Sequence, residues 1–505
     1  MTATPLAPPS PSSPSPSPAA TSIRPFFADR RFTSLFLTDV WERFSFYGMQ
    51  ALLFLYAVAP RDHGGLGMPA ATAGALFGLY MSTIFLACVP GGWLGDRVLG
   101  PRRAMLYGAT SIAIGHYCLA IPAVFDTAPT FYVGLVFIAA GTGLLKPSMP
   151  VMFAELYPRA ASAQREAAFS VFYMSIHVSA LVAPLVTGVL AELVGWHLGF
   201  GAAAAGMTIG VLQLVRGLRH FGDAGARPSQ PASRDQRRTA LRRASVAAAA
   251  VTVLLGAGAA TGRLRVEPVL GLVGLVSLAV PILYFRSVLR RPSLDAADRR
   301  RIRAFLPILL ASALFWMMFS QHGSTLLRFA AENTDRDAFG WRVPASWFMS
   351  ASPLFLLVAA PLLAMLWLRL GARVHAPSKV AAGLALTASS FGVLLLASPA
   401  AAGGGLVSPL WLLAALALHA VGELCIGPVG LSVTAEVAPH GIRQQFMGMW
   451  MLGGALGAGL GGGLARLATT VPLPAYFGLV AVIGAAAAVL LAANAGRLHR
   501  RLSPP

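Results

Sequence analysis

Apolar runs long enough to cross a membrane follow one another along almost the whole chain. A helix needs about 20 apolar residues to span the hydrocarbon core of a bilayer, so each run predicts a transmembrane helix. The chain contains fourteen such runs, divided six, two and six by Arg-rich stretches at 220–243 and 286–303. They lie at 34–58, 71–96, 103–124, 130–154, 166–192, 197–219, 244–261, 267–285, 304–330, 345–370, 378–398, 408–436, 443–468 and 474–496.

This division predicts five regions. Residues 1–23 are rich in Pro, Ser, Ala and Thr and carry no charge, which is typical of a disordered tail. We expect a six-helix bundle over 24–219, Arg-rich linkers with two extra helices over 220–303, a second six-helix bundle over 304–497 and a short tail over 498–505.

The charges of the loops predict the orientation in the membrane. Lys and Arg concentrate in the cytoplasmic loops of membrane proteins. If the N-terminus is cytoplasmic, thirty basic residues fall in cytoplasmic segments and five in outer loops, so we expect both termini in the cytoplasm. Of the 39 basic residues, 37 are Arg, which indicates GC-rich bacterial coding. The predicted location is therefore a bacterial inner membrane, which the chain crosses many times.

Composition excludes several other classes of protein. With 56% hydrophobic and 11% charged residues, the chain is too apolar for an ordinary soluble domain. Its net charge of +20 lies in short loops, so the bilayer, and not nucleic acid, is the expected partner. The three cysteines fall within predicted spans, which argues against a disulfide framework. A membrane enzyme is a remote alternative because the loops show no nucleophile–base constellation, and a receptor would not explain charges in both halves.

Charged residues inside the first span are the most informative feature of the chain. A charge at mid-bilayer costs roughly 2.5–3.5 kcal/mol, so such groups face a protein interior or a wet cavity. Asp39, Arg43, Tyr47 and Gln50 share one helical face, and Glu42 lies beside it. This pattern predicts either a structural ion pair that locks the helix to a neighbour, or a substrate or proton site.

The sequence around these charges resembles a known signature. Residues 39–48 read DVWERFSFYG, which is similar to the E-x-x-E-R-F-x-Y-Y-G motif of the proton-dependent oligopeptide transporter family, within the major facilitator superfamily. Asp39 stands at the first Glu of that motif and Phe46 at its first Tyr. Five further stretches resemble motifs of the family or superfamily: GWLGDRVLGPRR at 92–103, GTGLLKP at 141–147, FYMSIH at 172–177, FWMMFSQ at 315–321 and GELCIGPVG at 422–430.

The resemblance implies an all-α polytopic protein of the major facilitator fold, with two six-helix bundles and an inserted helix pair. It also implies a proton-coupled symporter that takes up di- and tripeptides by alternating access, driven by the proton gradient without a cofactor. The peptide carboxylate would face Arg43 and Lys146, and its ammonium Glu423. The implied substrate-binding residues are Arg43, Tyr47, Lys146, His177, Trp316, Ser352, Glu423 and Trp450. Those for proton coupling are Asp39, Glu42 and His322, and those for gating are Gln50, Asp96, Arg97, Arg102, Arg103 and Ser320.

Departures from the family pattern leave a second function open. Gln50 replaces an Arg, Ser320 a Glu, Ser352 and His177 an Asn each, and Phe85 a Tyr. The alternative is a major facilitator transporter of another small anion or zwitterion, with weakened or rerouted proton coupling. We hypothesise that Gln50 and Ser320 replaced an oppositely charged gate pair as a unit.

One further pair of polar residues lies within a predicted span. His419 precedes Glu423 by one helical turn and has no third ligand in view. We therefore expect a hydrogen-bonded His–Glu pair there, and no metal site.

Overall fold

The computed structural model describes residues 28–121, 128–156, 162–228, 231–243, 245–246, 249, 266–292, 294–338, 340–439 and 443–502. Its helices are α1 Arg30–Val58, α2 Ala70–Leu94, α3 Pro101–Leu119, α4 Ala128–Leu156, α5 Ser162–Val189, α6 Trp196–Gly217, α7 Val266–Leu289, α8 Ala296–Phe319, α9 Thr325–Glu332, α10 Phe348–Leu370, α11 Ala376–Ala402, α12 Pro409–Val437, α13 Arg443–Leu467 and α14 Leu473–Leu502. Two short strands, β1 Asp337–Ala338 and β2 Trp341–Arg342, pair antiparallel in the loop between α9 and α10.

Thirteen of the predicted spans correspond to long helices of the described residues, whereas the tail 1–23 and most of the span 244–261 lie outside them. Among the described residues, ten helical segments are long and apolar enough to cross a membrane. Helix α1 is not among them, because Asp39, Glu42 and Arg43 lower its hydropathy. The predicted all-α membrane architecture is therefore confirmed. It includes α1, whose two carboxylates are buried in the protein interior.

The helices pack as two bundles. In the first, α1 contacts α5 and α6, α2 contacts α4, and α3 contacts α4 and α6. In the second, α8 contacts α12, α13 and α14, while α11 packs between α12 and α14. Buried aromatic side chains fill both cores, among them Phe131 and Phe200 in the first bundle and Phe391 and Phe446 in the second.

The two bundles meet along the pairs α2–α13 and α5–α10. Ser82 Oγ of α2 donates to Ala455 O of α13 at 2.7 Å, and Ser350 Oγ of α10 donates to Leu181 O of α5 at 2.7 Å. We call the face of the molecule at which α1 and α13 end the distal face. The described hydrogen bonds between the bundles lie between mid-height and this face, so the bundles are joined there.

Helix α7 of the inserted region lies across this junction. It packs against both α2 and α13, which belong to different bundles. Ser277 Oγ lies 2.8 Å from Ser82 Oγ, and the same Ser82 binds the backbone of α13. The described helix of the insertion thus contacts both bundles.

Candidate functional site

A buried cluster of charges on α1 forms one side of the candidate site. Arg43 Nε lies 3.6 Å from Asp39 Oδ1 and 3.4 Å from Glu42 Oε2. Asp39 and Glu42 are 0% and 1% exposed, so the lipid does not meet these charges. The hydroxyl of Ser175 on α5 hydrogen-bonds the other oxygen of Asp39. One guanidinium is therefore shared by two buried carboxylates, and its pair with Asp39 has the i, i+4 spacing that the sequence predicts.

Lys146 on α4 brings a second cation to the cluster. Its ammonium lies 5.4 Å from the ring centroid of Phe46 and 5.1 Å from that of Phe85, within cation–π range. It interacts electrostatically with Arg43, Glu42 and Asp39, but no carboxylate of the described residues lies within 4 Å of it. The cluster therefore holds two carboxylates and two cations, and the ammonium of Lys146 has no carboxylate partner among the described residues.

Two glycines of the GTGLLKP motif position Lys146. Gly141 faces the carbonyl of Gly108 on α3, and Gly143 faces the carbonyl of Ala87 on α2. A side chain at either position would overlap the neighbouring backbone. These glycines let α4 pack closely on two helices at once, and the lysine one turn later then reaches the cluster on α1.

A series of aromatic rings connects this cluster with the second bundle. The ring of Phe85 lies 5.6 Å from that of Trp316 on α8, and Trp316 lies 5.1 Å from Phe319. Phe319 in turn packs 4.9 Å from His322. Aromatic contacts thus run from the ammonium of Lys146 to an imidazole in the other bundle.

His322 and His419 form a buried pair at the end of this series. Their ring centroids lie 4.2 Å apart at an interplanar angle of 61°. In the part of the chain that the structure describes, neither nitrogen of His419 has a hydrogen-bond partner. The hydrogen bond that we expected between His419 and Glu423 is therefore wrong, because the imidazole packs against His322 instead. Glu423 lies one turn further along α12.

The other residues predicted to bind substrate are less closely grouped. Tyr47 packs edge-on against Phe46, with ring centroids 5.2 Å apart. His177 lies on α5, two residues after the serine that binds Asp39, and Ser352 is buried on α10. Trp450 is buried within the second bundle, where its ring fills the space beside Gly430. No ion pair of the described residues joins Lys146 to Glu423, so their approach in another state stays a prediction.

Comparison with known proteins decides the family. The model of the POT family matches residues 102–479. The chain belongs to the POT family. The chain is 36% identical to the peptide transporter YePEPT of Yersinia enterocolitica, over 92% of this chain and 94% of that one. It is 31% identical to a di-/tripeptide transporter of Lactococcus lactis, over 92% and 95% of the two chains.

Solved structures of POT transporters share the whole fold. A peptide transporter POT in complex with sulfate matches with a TM-score of 0.89 at 36% identity, over 94% of this chain and 96% of that one. A POT family transporter in complex with 5-aminolevulinic acid matches with a TM-score of 0.88 at 30% identity, over 93% and 97%. The chain thus has the major facilitator fold of secondary transporters.

The distal gate of this POT family member does not join Gln50 to Ser320. Ser320 donates to Met317 O at 2.8 Å, and Gln50 Oε1 is buried without a partner among the described residues. The replacement of a gate pair stays a prediction, and closure at this face has another source.

Glu192, which sequence reasoning missed, binds the two bundles together at the distal face. It follows α5 and accepts hydrogen bonds from Ala345 N at 2.9 Å, Ser346 N at 3.0 Å and Ser346 Oγ at 2.6 Å. Its Oε2 also lies 3.5 Å from Arg336 Nη1. The two amides open the short helix before α10, so the carboxylate caps a helix of the other bundle. Burial lowers the pKa of Arg336, and the charge of Glu192 opposes that shift.

Tyr80 on α2 is a second residue that sequence reasoning missed. Its buried hydroxyl has no hydrogen-bond partner in the described residues, and it lies within electrostatic reach of Glu42. It belongs to no motif of the family quoted above, and a tyrosine inside an apolar run gives no signal by itself.

The predicted gating segment 92–103 lies at the face opposite the distal face, and the linker after α6 binds it. Arg102 donates from N to Gly225 O at 3.0 Å and from Nη1 to Gly222 O at 2.9 Å. The carbonyl of Arg97 accepts from Ala232 N at 2.9 Å. Asp96 lies in the helical turn Gly95–Leu99 between α2 and α3, and Arg103 lies in the first turn of α3. The linker is thus attached to that turn and to the start of α3, a contact that the sequence did not predict.

Proposed function

We propose that this chain takes up di- and tripeptides together with protons by alternating access. The observation that carries the proposal is Lys146, whose ammonium lies on two aromatic rings beside the shared Arg43 pair. A peptide carboxylate would supply the anion that Lys146 lacks among the described residues. Glu423 in the other bundle would receive the peptide ammonium, so that substrate binding draws the bundles together.

Proton coupling follows from the same cluster. Glu42 shares Arg43 with Asp39, and protonation of Glu42 would release the guanidinium toward a substrate carboxylate. Loss of that proton on the other side would return Arg43 to Glu42 and expel the substrate. The driving force would be the proton gradient alone, with no cofactor and no chemical reaction. Tyr47, His177 and Ser352 would add hydrogen bonds, while Trp316 and Trp450 would contact side chains.

The direction of transport rests on the proposed orientation. With both termini in the cytoplasm of a bacterium, the distal face is periplasmic and the structure is closed toward the periplasm. In alternating access, a state closed at this face would release substrate at the opposite face, which would be cytoplasmic in this orientation. Opening the distal face would require Glu192 to leave Ala345 and Ser346.

A second candidate substrate class is a small zwitterion other than a peptide. The solved relative bound to 5-aminolevulinic acid supports it, since that molecule also carries one carboxylate and one amine. The replacement of Tyr by Phe46 and Phe85 removes two hydroxyls from the walls around Lys146. A site with fewer hydrogen-bonding groups discriminates less between zwitterions of similar length.

The test is uptake by proteoliposomes with and without an inward proton gradient. Labelled dipeptide is offered first alone and then against unlabelled dipeptides, tripeptides, tetrapeptides, single amino acids and 5-aminolevulinic acid. We expect Lys146→Gln to lower uptake at least tenfold. Lys379→Gln is the matched control, since that ammonium also lies on a ring, 4.9 Å from the centroid of Trp367. Normal uptake by Lys146→Gln would disprove the proposed site.

A further inference from the structure

His322 and His419 form a buried pair of ionisable side chains in the second bundle. They are 7% and 0% exposed, with ring centroids 4.2 Å apart. Within the described residues, His322 Nε2 and both nitrogens of His419 lack hydrogen-bond partners. Buried polar atoms without partners are rare in folded proteins and call for an explanation. Here three of them meet in one place.

Chemistry of the imidazole ring supplies an explanation. A neutral imidazole carries one donor and one acceptor nitrogen, whereas the protonated ring carries two donors. If one ring of a close pair takes up a proton, its new donor can point at the acceptor nitrogen of the other ring. The pair is then satisfied by a single shared proton, while two protons would place like charges in contact.

The ionisable groups around the pair favour one positive charge. Glu423 lies one turn from His419 on α12, at the spacing at which side chains of a helix interact. Tyr476 on α14 is the nearest ionisable group of that helix to the turn that carries His322. On α1, across the aromatic series, the Glu42–Arg43 pair carries both signs. Helices α8, α11 and α13 carry their charged residues only near their ends.

The turn that carries His322 connects the pair with the bundle junction. The turn, Ser320–Gly323, follows α8, and Gln321 fixes it by donating to Gly461 O of α13 at 3.1 Å. Tyr476 Oη donates to Gln321 Oε1 at 2.8 Å. Gly323 lies against the ring of Phe77 on α2, in the other bundle, where any side chain would overlap it. A shift of the turn that carries His322 would therefore act directly on the contact between the bundles.

We infer that His322 and His419 bind one proton between them, and that the turn Ser320–Gly323 transmits its presence to α2. The protonated pair would place a positive charge one helical turn from Glu423, within the same bundle. The second bundle then has its own proton site besides Glu42 in the first. The link to transport rests on the proposed function, whereas the proton site itself does not.

The first experiment counts protons and needs no substrate. Purified protein in detergent is titrated between about pH 5 and 8, and the protons bound are compared with those of His322→Gln, His419→Gln and the double variant. His116→Gln is the matched control, because His116 on α3 is also buried with both nitrogens unpartnered in the described residues. Asn replaces Gln at any position where the Gln variant is not monodisperse.

We expect each pair variant, and the double variant, to bind one proton fewer than the wild type, and His116→Gln to match the wild type. No difference would show that the pair stays neutral and would overturn the inference. A loss of two protons in the double variant would show independent histidines and would overturn the shared site.

The second experiment tests the link to transport. Exchange of labelled for unlabelled dipeptide needs no net proton movement, whereas accumulation against a gradient does. We expect His419→Gln to lose at least tenfold in proton-driven accumulation and to keep exchange within about twofold of the wild type. Accumulation at the wild-type level would refute the link. A wild type that exchanges no dipeptide would refute the proposed function instead, and the proton count would still decide the site.

Discussion

Replacing Glu192 by Gln should open the distal face. The carboxylate accepts three hydrogen bonds, of 2.9, 3.0 and 2.6 Å, from the segment that begins α10. Hydrogen bonds to a charged group contribute roughly 1.5–3 kcal/mol each. Gln keeps one acceptor oxygen but loses the charge and turns an amide group toward backbone donors. We therefore expect a loss of about 2–4 kcal/mol from the distal-closed state.

That loss is large enough to measure as a change in population. Since 1.4 kcal/mol is a factor of ten, the ratio of closed to open molecules should fall by about thirtyfold to several hundredfold. The assay is a distance measurement between spin labels at Asp62 and Thr470, which are exposed at the distal face on different bundles. The three native cysteines are first replaced, and the labelled chain is reconstituted in liposomes.

Glu332→Gln is the control for the loss of a carboxylate at the same face. Glu332 pairs with Arg328 at 2.8 Å, but its side chain is 52% exposed, and exposed ion pairs contribute only about 0–1 kcal/mol. Its distance distribution should match that of the parent. A Glu192→Gln distribution that also matches the parent would refute our reasoning that this carboxylate holds the bundles closed.

Three further predictions concern the gate, the inserted helix and the topology. Gln50→Arg and Ser320→Glu should each lower uptake, because each buries an unpaired charge, and the double variant should recover part of it; additive losses would contradict a facing pair. Ser277→Ala removes a hydroxyl 2.8 Å from Ser82 and should shift the spin-label distances toward the open state by less than Glu192→Gln does; a larger shift would contradict this ranking. Reporters fused after Arg234 and at the C-terminus should both report cytoplasm, and a periplasmic signal at either would contradict the proposed orientation.

The helices themselves could be predicted because each needs only its own apolar run. The span expected at 304–330 is nevertheless two helices, α8 and α9, separated by the turn Ser320–Gly323. That turn is held by Gln321, which binds Gly461 of α13. A contact with a residue so distant in the sequence leaves no trace in the local pattern of apolar residues. The apolar run therefore predicted one continuous helix across this turn.

The charged cluster on α1 could be predicted in part because some of its contacts are local in the sequence. Asp39 and Arg43 pair within one helix, at a spacing that the sequence displays directly. Glu192 binds amides 153 and 154 residues away, and backbone donors have no sequence signature. The His322–His419 contact also joins distant segments, the turn after α8 and helix α12, so each histidine alone gave only a weak signal.

The central claim is that proton and peptide move together, and one measurement tests it most directly. Proteoliposomes are loaded with a fluorescent pH indicator, and labelled dipeptide is added outside while the lumen pH and the label are followed together. The account predicts that dipeptide entry acidifies the lumen, that both signals saturate at the same dipeptide concentration, and that Lys146→Gln loses both. Dipeptide that enters and accumulates without any acidification would contradict it.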